Sequence, residues 1–490
     1  MTTPSRPVEP GSGTCACIAE HARTRPEAVA IVHRGVNLTW RTLAANLLAV
    51  VEDLERLGVQ PGQTLGIEID DRYLHLLIIL AGEVLGVTTM SLNAADIVLP
   101  NDLGRLCDRI IASRPSQAHA GKTWLIPPDW PVQVLGRVWD NLPLDHLHAR
   151  PRPDAVLRLM MTSGTTGRPK VMGMSQALLD GHIRVLLRTT TEPAASRPVY
   201  LCLYRYTVRA VHTRSMVALR RGGTIHFTGL DAVPDLLRAG VGNYLLMLSG
   251  DLERLVHATP AGIGPFDIHI DIIGGTVSDA LREAAHAKLS PHIVVSYATN
   301  ETHVVALMGE GGRGHIVPDA EVRIVGENGQ PVAPGGTGVI QVRTSTMVDG
   351  YVDAPESDRA AFVDGWYRTS DFGYKPDHAT LVVLGRSDDM LNIGGVKLSP
   401  APIELRLKAV PGVRDAVVTE GADRLQTRTL LVAVEVAPGV DRNQLGRRVD
   451  AVISHYTRGF QLLLLDALPR TETGKVKRDA VRALLPPQAP

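Results

Sequence analysis

Residues 161–170 read MTSGTTGRPK, and the mostly apolar run at 155–160 just before them fits a strand. Gly164 and Gly167 let backbone N–H groups come close to an anion, Ser163, Thr165 and Thr166 add hydroxyl donors, and Lys170 brings a positive charge. A loop built this way cradles polyphosphate. It is not the P-loop pattern, because the glycine spacing differs and Lys170 is followed by Val171 rather than by Ser or Thr. The plain alternative is a solvated Gly/Thr turn, so the rest of the chain has to decide.

On the N-terminal side, residues 1–13 are rich in Pro, Ser and Gly and form a loose lead-in. From 15 to about 150, helical stretches such as 43–57 alternate with short apolar runs such as 64–69, the layering of an α/β fold. On the C-terminal side the same alternation continues to about 303, with buried strands expected at 244–248, 268–273 and 293–297. Between 320 and 384 it gives way to short β-rich runs, 321–325 and 338–342 among them, which reads as a small β-subdomain. The last hundred or so residues form a compact set of their own, with a strand at 430–436 and a helix at 442–455.

Composition narrows the function. The 490 residues exceed one compact core and fit two or three domains. Lys+Arg and Asp+Glu are both 51, so there is no basic field to hold nucleic acid, and the partners expected are small molecules. Cys15, Cys17, Cys107 and Cys202 lack the pairing and the neighbouring histidines of a zinc site and read as reduced thiols. No signal segment opens the chain, and the most apolar stretch, 74–90, contains Glu83, so no membrane association and a cytoplasmic location are expected.

Further along, residues 274–276 read GGT, 296–301 SYATNE, 366–371 WYRTSD, 385–404 GRSDDMLNIGGVKLSPAPIE and 469–475 PRTETGK. Together with the loop at 161–170, in this order, they resemble the signature segments of the adenylate-forming superfamily: acyl-CoA synthetases, peptide-synthetase adenylation domains and firefly luciferase. The resemblance spans nearly the whole chain. It implies a large N-terminal domain of α/β layers, 1–385, binding ATP and acid, and a small mobile α+β domain, 386–490, carrying a catalytic lysine.

By the same resemblance Ser163, Gly164, Thr165, Thr166 and Gly167 hold phosphate, with Thr162 and Lys170 among the catalytic groups. Gly275 and Thr276 line the nucleotide and acyl pockets, and Ser296, Tyr297 and Ala298 lie along adenine. Asn300 offers a hydrogen bond to phosphate, and Glu301 holds Mg²⁺, whose oxygen preference suits a carboxylate. Asp371 accepts from both ribose hydroxyls, Arg386 also reaches the ribose, Asp388 is the hinge pivot, and Lys475 bridges the acid and the α-phosphate. Val171, Ala298, Asn300 and Ser370 depart from the usual pattern. Those departures motivate a competing reading, a nucleotide-binding regulatory protein that kept the fold and lost turnover.

The acid is less legible. Residues 203–223, LYRYTVRAVHTRSMVALRRGG, contain no acidic side chain to pair with an ammonium, so an aromatic or fatty acid is expected in place of an α-amino acid. By position the lining is Tyr206, Arg209, Leu246, Met247, Gly275 and Thr299. Thr207 stands where many acyl-CoA synthetases have a histidine. The acceptor remains open among the thiol of CoA, a carrier-protein thiol and an amine.

Overall fold

An uninterrupted apolar run has no solvent face to offer, so Tyr244–Leu248 (YLLML) belongs in the middle of a parallel sheet covered on both sides. In the computed structural model it pairs in parallel with Val199–Cys202 on one side and with His269–Ile273 on the other. The structure describes residues 13–93, 102–115, 119–148, 154–162, 170–189, 197–260, 262–326, 329–352, 354–386, 391–393, 396–398, 400–422, 428–457, 459–470 and 476–484. The parallel run continues to Thr224–Phe227 and Val29–His33 at one side and to His292–Thr299 at the other.

Beyond His292–Thr299 the same sheet turns antiparallel. Its order there is His303–Met308, Arg313–Ile316, Thr380–Arg386, Trp366–Tyr374, Thr337–Thr344 and Ala320–Val325. The β-rich run between 320 and 384 is therefore joined edge to edge to the large sheet, through pairing of Arg313–Ile316 with Thr380–Arg386. A second sheet holds Thr123–Leu125, Arg109–Ala112, Thr64–Glu68, Thr88–Ser91 and Val156–Thr162 in parallel, then Lys170–Ser175 and Tyr351–Val352 antiparallel.

Helices fill the space between the sheets. The apolar stretch 74–90 is divided by Gly86, whose positive φ of 68° ends the helix Arg72–Leu85 and releases the chain into the strand Thr88–Ser91. Asp71 starts that helix by accepting from the Tyr73 and Leu74 amides. The helix Arg209–Arg220 is the unusual one. Its sequence is RAVHTRSMVALR, yet Arg209, His212, Thr213, Arg214, Ser215 and Arg220 are all buried.

Residues 391–484 contain the hairpin Leu391–Ile393 with Val396–Leu398 and the sheet Val413–Ala422, Arg428–Val436 and Phe460–Leu465. They close over an apolar cluster of their own that includes Ile403, Leu407, Val418, Val432 and Leu445. The four cysteines are buried and free, and among the described residues no helix is long and apolar enough to cross a membrane.

Candidate active site

Parallel strands deliver their carboxyl ends to one edge, and the segments leaving those ends form a crevice. Here they are residues 203–208, Ser249, residues 274–276 and residues 300–301. Gly274 takes a φ of 82°, which favours glycine, and a Cβ on Gly275 would lie 2.3 Å from Ser249 Oγ, which would have to turn away. Gly275 and Thr276 are exposed there.

Glu301 sits in the turn that follows His292–Thr299. The Thr299 hydroxyl oxygen accepts from the Thr302 amide at 3.1 Å, and His303 completes the reversal with a φ of 67°, strained for a residue other than glycine. Glu301 is 5% exposed, and Tyr351 Oη donates to its Oε1 at 2.8 Å. Tyr367 Oη lies 3.5 Å from Tyr351 Oη. Burial first, and the Glu301 charge second, push both phenols above their ordinary range. Lys170 Nζ lies 4.8 Å from the centroid of the Tyr351 ring, a cation over an aromatic face. Thr162, buried, is the ladder partner of Lys170. Thr162 and Lys170, which flank residues 163–169, are thus held together by one rung, with Lys170, Tyr351 and Glu301 in file.

Asn300 couples the two sheets. Its Nδ2 donates to Met161 O at 3.1 Å, and its Oδ1 accepts from Arg209 Nε at 3.4 Å. Ser296 is buried and Ala298 exposed beside a bulge at residues 297 and 298.

Tyr297, Asp371 and Arg386 come from three separate sequence segments and meet. Tyr297 Oη donates to Asp371 Oδ2 at 2.6 Å. Asp371 and Arg386 are cross-strand partners, and the Asp371 amide donates to Thr369 Oγ1 at 3.0 Å. Burial first, and then the Asp371 carboxylate, raise the Tyr297 phenol well above its usual range, so it stays a donor.

The residues expected to line the acid pocket are sorted differently. Leu246 and Met247 are adjacent on one strand and face opposite ways. Leu246 packs in the cluster that contains Tyr206, Val211 and Val304, whereas Met247 packs with Leu201, Leu245 and Ile270 on the far side of the sheet. Met247 is therefore withdrawn from the lining. Tyr206 is fully buried, with its hydroxyl 3.2 Å from Ser215 Oγ. Thr299 spends its hydroxyl on the turn. Arg209 is 6% exposed and reaches Thr299 O, Asn300 and His182. Burial, and Arg214 after it, lower its pKa to about 10, while the Glu301 charge opposes that. Ser163, Gly164, Thr165, Thr166, Gly167, Asp388 and Lys475 lie outside the described residues.

Sequence reasoning missed Tyr351, Tyr367, His182 and His303. Tyr367 carried a signal, since in WYRTSD it alternates with Thr369 and Asp371 at the two-residue spacing of one strand face. Tyr351 carried none, because it reaches Glu301 only through its pairing with the strand Lys170–Ser175.

Residues 109–352 match the AMP-binding enzyme family. That match takes in 244 of the 490 residues, and over it the chain resembles the adenylate-forming superfamily. It is 28% identical over 368 residues to the indoleacetate–CoA ligase of Aromatoleum aromaticum, covering 72% of this chain and 71% of that one. It is 22% identical over 484 residues to the 2-succinylbenzoate–CoA ligase of Listeria monocytogenes, covering 95% and 98%. In fold it superposes, with a TM-score of 0.78 at 21% identity, on o-succinylbenzoate coenzyme A synthetase (MenE) from Bacillus subtilis in complex with ATP and a magnesium ion, covering 96% of this chain and 99% of that one. The family matched over residues 109–352 is one of AMP-binding enzymes, and the chain is an enzyme.

Proposed function

We propose that the enzyme joins a carboxylic acid to the α-phosphorus of ATP, releases pyrophosphate, and passes the acyl group to the thiol of coenzyme A. The observation that carries this reading is the meeting of Tyr297, Asp371 and Arg386 beside a file of Lys170, Tyr351 and Glu301. The first group suits a ribose, since a carboxylate can accept from two hydroxyls at once. The second suits phosphates, with a cation at one end and a carboxylate at the other.

The chemistry brings two anions together, so the site has to neutralise charge and hold an in-line geometry. Mg²⁺ fits here because it needs only one or two protein carboxylates when the phosphates supply the remaining oxygens, and Glu301 is such a carboxylate, oriented by Tyr351. Bound there, it would supply charge neutralisation on phosphate oxygens. Lys170 and the loop at 163–169 steady the departing pyrophosphate. Lys475 bridges the acid oxygen and the α-phosphate. No protein nucleophile is required: the acid oxygen forms the new P–O bond as the bond to pyrophosphate breaks. In the second step the thiol, losing its proton, attacks the acyl carbon and AMP leaves. Residues 386–490 form the part that turns between the two steps, about Asp388.

CoA is favoured as acceptor over a carrier protein or an amine because the relatives named above are CoA ligases. The test is mass spectrometry of the products that purified protein makes from ATP, Mg²⁺ and pooled acids, run alone, with CoA, and with amines. AMP, pyrophosphate and an acyl-CoA are expected. AMP with a thioester absent and an amide present would replace CoA by an amine.

A further inference from the structure

The helix Arg209–Arg220 buries three arginines, and two of them have their counter-charge. Arg214 pairs with Asp271 at 3.0 Å, and Arg220 pairs with Asp180. Arg209, at the end of the helix facing the crevice, makes no ion pair among the described residues. Its guanidinium rests on three neutral acceptors: Asn300 Oδ1 at 3.4 Å, Thr299 O at 3.3 Å and His182 Nδ1 at 3.1 Å. The tautomer of His182 follows from its other nitrogen. Nε2 lies 2.8 Å from Thr346 O, a carbonyl that can only accept, so Nε2 carries the proton and Nδ1 is the lone pair that receives Arg209. Burial holds that ring neutral, its pKa pulled down to about 3.

A second observation points the same way. His303 stacks on His182 with ring centroids 4.4 Å apart, is 2% exposed, and has no hydrogen-bond partner among the described residues at either ring nitrogen. Its backbone is held at a φ of 67° to put it there. Buried polar atoms are ordinarily satisfied, and one that is not marks a place where a partner arrives. Glu301 is the nearby negative charge, and the adenylation reading commits it to Mg²⁺. That leaves a buried guanidinium and an unused imidazole side by side and, among the described residues, no anion committed to either.

We infer that the acid is a dicarboxylate whose second carboxylate is held by the fork of Arg209 beside His303. A carboxylate takes two parallel N–H donors from a guanidinium, a geometry an ammonium cannot copy. This inference rests on the adenylation reading and narrows its acid to one chemical class.

The experiment measures AMP formation from α,ω-alkanedioic acids of increasing length and from the three benzenedicarboxylic acids, each against its own monomethyl ester. In the unaltered enzyme at least one diacid should exceed its half-ester in kcat/KM by about tenfold or more, the scale of a charged hydrogen-bonded contact. Arg209→Met should bring that ratio close to one, with the change in KM, and Arg209→Lys should restore part of it; melting temperatures verify that both variants are folded. Half-esters that match their diacids throughout in the unaltered enzyme would overturn the inference without reference to any variant. So would an unchanged ratio in Arg209→Met, since equal losses place the arginine on the reacting carboxylate or on phosphate. AMP formation from no acid at all would overturn the adenylation reading, and this inference with it.

Discussion

Tyr297 and Asp371 lie four strand positions apart in the sheet, yet the Tyr297 hydroxyl touches the Asp371 carboxylate at 2.6 Å. In a flat sheet that separation would be about 19 Å. The strands from His303–Met308 to Trp366–Tyr374 must curl over, and the packing of Ala320–Val325 back against His303–Met308 agrees with such a curl. The proposed ribose site is where the curl meets the parallel part of the sheet.

Asp371→Asn keeps the size of the side chain and removes the charge and one acceptor. We expect ATP to bind about tenfold more weakly, and Tyr297→Phe, which removes one neutral donor, to weaken it about fivefold or less. Isothermal titration with ATP and Mg²⁺ separates the two. Equal affinities in both variants and the parent would remove Asp371 from the nucleotide site.

Glu301→Gln can still accept from Tyr351 but carries no charge. Pyrophosphate release should fall by about 10²-fold or more, the scale of one preorganised charge in a reacting centre. The Mg²⁺ concentration needed for half-maximal rate should rise at the same time. A fall in rate with the Mg²⁺ dependence unmoved would assign Glu301 to something other than the metal.

Lys475→Ala should cut acyl-adenylate formation by about 10²-fold or more. Asp388→Pro restricts φ at the pivot and should slow thioester formation from preformed acyl-AMP more than it slows pyrophosphate release. Quenched single-turnover runs of each half-reaction read both effects. Equal slowing of the two steps by Asp388→Pro would take the pivot away from that residue.

His75 and His182 give a pH dependence with a definite sign. Burial first, and neighbouring arginines after it, lower both from 6.5 to about 3. The unfolded chain therefore takes up these protons before the folded one does. Stability is full above about pH 6.5 and drains away as the pH falls toward 3, with a slope approaching about 2.7 kcal/mol per pH unit for the pair. Urea unfolding at about pH 7, 6 and 5 should show this decline, and His182→Gln should lessen its slope by about 1.4 kcal/mol per pH unit. A parent protein equally stable at all three would mean that these rings are not held neutral.

Much of this was readable in advance where a side chain acts within its own segment. The strand Tyr244–Leu248 follows from its apolar run, while Gly274 and Gly275 were recognisable through the resemblance alone, and the φ of 82° at Gly274 is a finding of the structure. Tyr297, Asp371 and Arg386 were each recognisable by their neighbours in sequence, although their meeting depends on the curl of the sheet. Met247 was misplaced by one position, which on a strand is the opposite face. Tyr351 and the pair His182 and His303 were invisible because what matters about them is who they touch, and those contacts bridge 50 residues in one case and 121 in the other.

The buried helix Arg209–Arg220 also bears on how this enzyme can change. Its three buried arginines are each tied to a different element: Arg209 to the turn at 299–300, Arg214 to Asp271 and Tyr244, Arg220 to Thr14 and Asp180. Replacing any one of them strands a buried partner, so neighbouring substitutions have to arrive together to be tolerated. Selection for a new substrate would meet a ridge along this helix and an easier path at Leu246, an apolar position where size can be altered one step at a time.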